Sequence, residues 1–139
     1  MKTLTSQDRL VLAVLAALLC VNMVQAYYMG LAHDEAYYWV YSRYLAWGYF
    51  DHPPLTAPAV GAGYAVFPNR LGVRLVFLLM LSGSLWLMWR MTSRRDPLLF
   101  IVLVLSFGLF QVVGILATPD TPLLFFAAVF FIVMRRYLE

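Results

Sequence analysis

From Leu10 to Ala32 the chain runs 23 residues without a charged side chain. Rising 1.5 Å per residue as a helix, this run covers about 35 Å, enough to cross the hydrocarbon core of a bilayer. A water-soluble fold of 139 residues that is 63% hydrophobic and 12% charged would leave much of its apolar material facing water. A disordered chain needs the opposite composition, low hydrophobicity with high net charge. The remaining class is an all-α integral membrane protein.

A single cysteine, Cys20, lies inside the first apolar run, so no disulfide can form within the chain and a small disulfide-stapled scaffold is excluded. The formal charge of +3 does not point to nucleic acid, because the basic residues bracket hydrophobic runs instead of clustering on a polar, aromatic-interleaved stretch.

Four spans are expected, at about 10–32, 71–91, 97–118 and 122–134, within one membrane domain covering 1–139. The first has a rival reading as a cleavable signal, with Lys2 and Arg9 before the apolar core and Val24-Gln25-Ala26 as a cleavage site. Continuation of the apolar run past Ala26 favours an uncleaved span, and N-terminal sequencing separates the two. In the second span, the long stem of Arg74 allows its charge to snorkel toward the interface. The fourth is short: 13 residues give about 20 Å of helix against a hydrocarbon thickness of about 30 Å. Either the turn Thr118-Pro119-Asp120-Thr121-Pro122 lies below the outer surface in a protein-walled cavity, or this hairpin is part of a larger bundle.

Sidedness follows from the Lys and Arg distribution. With the N-terminus, the 90–96 loop and the C-terminus in the cytoplasm, seven basic residues are inside and only Arg43, Arg70 and Arg74 outside, giving net charges of +4 and −1. The expectation is a multi-pass protein of the bacterial inner (plasma) membrane with a cytoplasmic N-terminus. Both histidines and four of the seven acids then fall on the outer side.

The extracytoplasmic loop 33–70 carries an aromatic run, Tyr37, Tyr38, Trp39, Tyr41, Tyr44 and Trp47, of the kind found at headgroup level. Residues 34–47 are expected to form an interfacial helix, with Asp34 as N-cap, Glu35 in the positive first turn and Gly48 as the stop. The alternative is an aromatic belt with two hydrated carboxylates. Beyond it, the prolines of His52-Pro53-Pro54 stiffen an extended backbone, and Leu55–Pro68 is expected to be interfacial or re-entrant.

His33, Asp34, Glu35, Asp51 and His52 lie within twenty residues, and Asp120 can join them through the fold. A mixed carboxylate and imidazole set suits a divalent cation, although no ligand spacing here is diagnostic. The carboxylates make the stronger case. An acid near or below the membrane interface is costly to retain, and partial desolvation makes it a better base toward a hydroxyl group. No phosphate loop, dinucleotide fingerprint or nucleophile elbow is present.

Taken in order, His33-Asp34-Glu35-Ala36-Tyr37-Tyr38-Trp39, then Gly48-Tyr49-Phe50-Asp51-His52-Pro53-Pro54-Leu55, then Thr118-Pro119-Asp120-Thr121-Pro122-Leu123, resemble the N-terminal part of the protein mannosyltransferase-like GT-C glycosyltransferases of family 39. Their bacterial relatives include the aminoarabinose transferases that modify lipid A. The resemblance implies the N-terminal portion of a GT-C fold and transfer of a sugar from a polyprenyl-phosphate donor to a lipid or protein acceptor on the outer face. It implies Asp34 as the base for the acceptor hydroxyl, with Glu35 and Asp120 as the other catalytic acids. Tyr38, His52 and Arg74 are the expected substrate-binding side chains, and Asp51 the position that helps bind a divalent metal in some relatives. Relatives carry many more spans, so the rest of the cavity wall is expected from further sequence. The competing expectation is a small, non-catalytic accessory or lipid-binding membrane protein built on the same scaffold. A transporter reading lacks an inverted repeat.

Overall fold

The computed structural model describes residues 4–92, 96–108 and 114–138. Among these the chain is helical, in the order α1 (Ser6–Tyr28), α2 (His33–Tyr41), α3 (Thr56–Val66), α4 (Arg70–Met91), α5 (Pro97–Ser106) and α6 (Asp120–Leu138). Three of them, α1, α4 and α6, are long and apolar enough to cross a membrane.

The first helix begins where Thr5 and Asp8 form a capping box. The Asp8 amide donates to Thr5 Oγ1 at 3.1 Å and the Thr5 amide to Asp8 Oδ2 at 3.0 Å, satisfying two donors that a helix start leaves open. The helix then runs unbroken through Val24-Gln25-Ala26, and Ala26 is buried in a cluster with Leu78 and Ile115.

At the centre stands α4, which contacts α1, α3 and α6. Its N-cap is Asn69, whose Oδ1 accepts from the amides of Leu71 and Gly72. Val11 and Leu15 of α1 pack with Leu81, Leu85 and Trp89 of α4, while Ala26 meets Leu78, so the two helices run antiparallel with their ends in register. The third helix doubles back on the N-terminal part of α4 through Phe67-Pro68-Asn69. A Cβ on Gly72 would overlap the Phe67 carbonyl oxygen, and one on Gly63 the Gly72 carbonyl oxygen, so both glycines are required for this approach. The sixth helix lies parallel to α4: Phe125 packs against Gly83, and Arg135 Nη1 donates to the Met91 carbonyl at 3.4 Å.

Three expectations need correction. The helix expected over 34–47 spans only His33–Tyr41. Its stop is made by side chains, not by Gly48: Ser42 Oγ donates to the Trp39 carbonyl at 2.6 Å, and Tyr49 stacks on Tyr41 at 4.3 Å. The Tyr49 hydroxyl lies 3.2 Å from the carbonyls of both Tyr41 and Tyr44. These contacts take carbonyls that another helical turn would have used. The third expected span is helical over Pro97–Ser106, and by Gly114 the chain is in a turn; residues 109–113 of that span lie outside the described residues. Ten residues give about 15 Å of helix, half a hydrocarbon core. The fourth is longer than expected, 19 residues from Asp120, because Pro122 falls in the first turn, where its missing N–H costs nothing, and Arg135 and Arg136 suit the last.

Candidate functional site

Glu35 is the third residue of α2, where it accepts from the Ala32 amide at 2.8 Å. Ala32 has no side-chain acceptor to reciprocate, so this is half of a capping box. The same carboxylate faces Arg74 of α4: Arg74 Nε donates to Oε1 at 2.7 Å and Nη2 to Oε2 at 2.6 Å, a two-pronged pair with both side chains at 1% exposure or less. A fourth bond comes from the Ala117 amide to Oε1 at 2.9 Å. Burial alone would raise the Glu35 carboxyl. The Arg74 hydrogen bonds, the Ala117 and Ala32 amides and the Arg74 charge together outweigh it and hold the group below its ordinary 4.5.

The remaining Arg74 donors reach the end of α1. Nη1 lies 2.9 Å from the Ala26 carbonyl and 3.2 Å from that of Met29, and Nη2 donates to the Gly30 carbonyl at 2.7 Å. A guanidinium has five N–H groups, and this geometry occupies all five. Arg74, expected to snorkel and to bind substrate, is thus sealed inside with no donor left for a ligand. Glu35, expected among the catalytic acids, has both oxygens taken twice over. The two act as a clasp joining α1, α2, α4 and the segment that leads into α6. Backbone groups supply five of the clasp's partners, and no side-chain motif announces those.

The clasp positions the other acids. Asp34 precedes Glu35 on α2 and is exposed; Asp120 opens α6 three residues after Ala117 and is also exposed. Between them lies Tyr38, one turn beyond Asp34 and buried among Ala59, Val60, Val73, Phe77 and Ala117. Burial is the largest influence on the Tyr38 hydroxyl and raises it above the usual 10. The negative charges of Asp34, Asp51 and Asp120 push it further the same way. Asp34 and Asp120 are carried by two segments that the clasp ties together, and Asp51 stands beside them through His52, whose Nε2 lies 3.5 Å from Asp51 Oδ1.

His52 completes the group. Its ring meets Tyr38 edge-on with centroids 4.9 Å apart, and Nδ1 lies 3.4 Å from the Tyr38 hydroxyl. The other ring nitrogen, Nε2, lies 3.5 Å from Asp51 Oδ1, so the imidazole sits between the Tyr38 hydroxyl and the Asp51 carboxylate. Tyr38 itself is covered by protein, with its hydroxyl against His52. His33, at the start of α2, is exposed and makes no contact with this group. Asp51 and His52 would give a metal two ligands; among the described residues no three His, Cys, Asp or Glu side chains lie close enough to hold one.

Of the two other cations expected on the same side as Arg74, Arg70 donates to the Tyr28 carbonyl at 3.4 Å. Arg43 lies over the rings of Trp39 and Tyr64, 5.2 and 4.9 Å from their centroids, and forms no ion pair among the described residues. Comparison with family models, with curated proteins and with solved structures returns no match to this chain.

Proposed function

We propose that this chain forms the acid-lined part of a membrane glycosyltransferase that moves a sugar from a polyprenyl-phosphate donor to an acceptor hydroxyl. The reading is supported by the sequence resemblance and, above all, by the Glu35–Arg74 clasp, which ties together the segments that carry Asp34 and Asp120, with Asp51 linked to α2 through His52 and Tyr38. Asp34 is the base. It takes the proton of the acceptor hydroxyl as that oxygen bonds to the anomeric carbon, while the bond from that carbon to the phosphate oxygen breaks and polyprenyl phosphate leaves with the electron pair. Asp120, exposed three residues after the clasp's Ala117, adds negative charge on the same side of the fold. The Asp51–His52–Tyr38 chain orients the imidazole between a carboxylate and a hydroxyl. Glu35 and Arg74 serve as positioning residues, not as reacting groups.

The test is Asp34→Asn, expressed with all the sequence that flanks this chain in its reading frame and assayed with labelled polyprenyl-phosphate sugar. Transfer should fall by about 100-fold or more, the usual weight of a general base, with insertion and thermal stability unchanged. Unaltered turnover would remove Asp34 as the base. A second reading, a non-catalytic lipid-binding scaffold, draws on the full commitment of Arg74 to the fold, which leaves that arginine unable to grip a phosphate. Lipid-donor binding without transfer in the same assay would favour it.

A further inference from the structure

The stretch between α2 and α3 presents its largest apolar groups outward. Trp47 and Phe50 are fully exposed, and Tyr44 and Leu45 are mostly so. Beside them lies a groove of about 520 Å³ lined by Leu45, Ala46, Trp47, Pro54, Leu55 and Pro58. Were this stretch a surface loop in water, it would carry an unusual hydrophobic load at its tip.

Its place along the spans argues for another medium. Gly63 touches α4 at Gly72 and Leu75, near the level where Arg74 donates to the Ala26 and Gly30 carbonyls. Because α3 runs antiparallel to α4, its first residues lie about 10 Å further along α4 than Gly63, toward the middle of that helix. The groove is formed at this start of α3, so it is level with the apolar interior of α1 and α4, not with their ends. Asp120 is recessed in the same sense. Phe125 is level with Gly83, which sets Asp120 opposite the region of Leu78, about 12 Å along α4 from Arg70.

We infer that residues 44–55 are a re-entrant segment seated in the outer leaflet, with hydrocarbon chains of membrane lipid filling the groove and covering Trp47 and Phe50. Trp47 and Phe50 are exposed as the outward residues of the spans are, while His52 turns the other way onto Tyr38, with Asp51 beside it. The arrangement gives one short segment a greasy outer side and a polar inner one, so it forms the wall between lipid and the acid cluster. It stands whether or not the chain transfers sugar.

The test uses the full chain in phosphatidylcholine vesicles. In a Cys20→Ser background, nitroxide labels are attached to Tyr28→Cys, Trp47→Cys and Phe50→Cys in turn, and collision with oxygen is compared with collision with a water-soluble nickel chelate. Labels at 47 and 50 should favour oxygen several-fold more than the label at 28. Equal or greater nickel access at 47 and 50 would overturn the inference. An independent measurement avoids labels: vesicles of acyl-brominated lipid should quench the native chain's tryptophan fluorescence more than that of Trp47→Phe, and identical quenching of the two would also overturn it.

Discussion

Two buried carboxylates do similar local work at opposite ends of α4, and the contrast between them explains how this fold holds a polar site. Asp8 and Glu35 each stand third in their helix, each accept from the amide that precedes it, and each is 1% exposed. Asp8 then meets α4 through a neutral donor, Trp89 Nε1 at 2.9 Å. Glu35 meets it through a guanidinium and takes a further amide from residue 117. One end is a helix cap extended into a tertiary contact. At the other, a cap has become a junction of four segments, and the exposed acids cluster where that junction brings chain segments together.

Breaking the junction should have the largest effect. Glu35→Gln or Arg74→Met leaves one charge buried without its partner, a loss of about 3–5 kcal/mol. Thermal unfolding in detergent should show it, and the double variant should recover part of the loss, since removing both charges relieves the desolvation. Trp89→Phe, at the other end, strips a neutral donor from Asp8 and should cost about 1–3 kcal/mol. If Trp89→Phe proved the more damaging, the distinction between the two ends would collapse.

Acidification sharpens the same contrast. The Glu35 carboxyl is held below 4.5 in the folded chain, so its contribution is fully present above that value and is lost as pH falls through the lowered folded value. The melting temperature of the native chain should therefore drop on going below about pH 4.5, and that of Glu35→Gln should drop less. The smallest effect belongs to Asp34→Asn. This exposed neighbour of Glu35 should change stability by no more than about 0.5 kcal/mol, as surface positions do. A large destabilisation there would mean that Asp34 shares the structural task of Glu35.

The second span, expected at about 71–91, is the helix Arg70–Met91, and it was legible because its apolar run ends against Arg90. Local signals failed where distant groups intervened. Nothing near residue 41 announces that Tyr49 will fold back and end α2, and the third apolar run shows no charge or proline where its helix stops at Ser106. The acids at 34, 51 and 120 were legible as candidates by type and sidedness. That Glu35 and Arg74 would be consumed by each other was not, since the pairing spans 39 residues and is completed by backbone amides that carry no sequence identity.

The Glu35–Ala117 bond joins positions 82 residues apart, while Arg74 stands only 39 from Glu35. During synthesis the carboxylate can therefore meet its arginine as soon as the second long helix has left the ribosome, and it must wait for the remaining amide until the stretch before the last helix emerges. Maturation of the acid cluster is thus a late step in biogenesis, and a ribosome stalled before residue 117 would release a nascent chain already anchored but not yet assembled at its chemical centre.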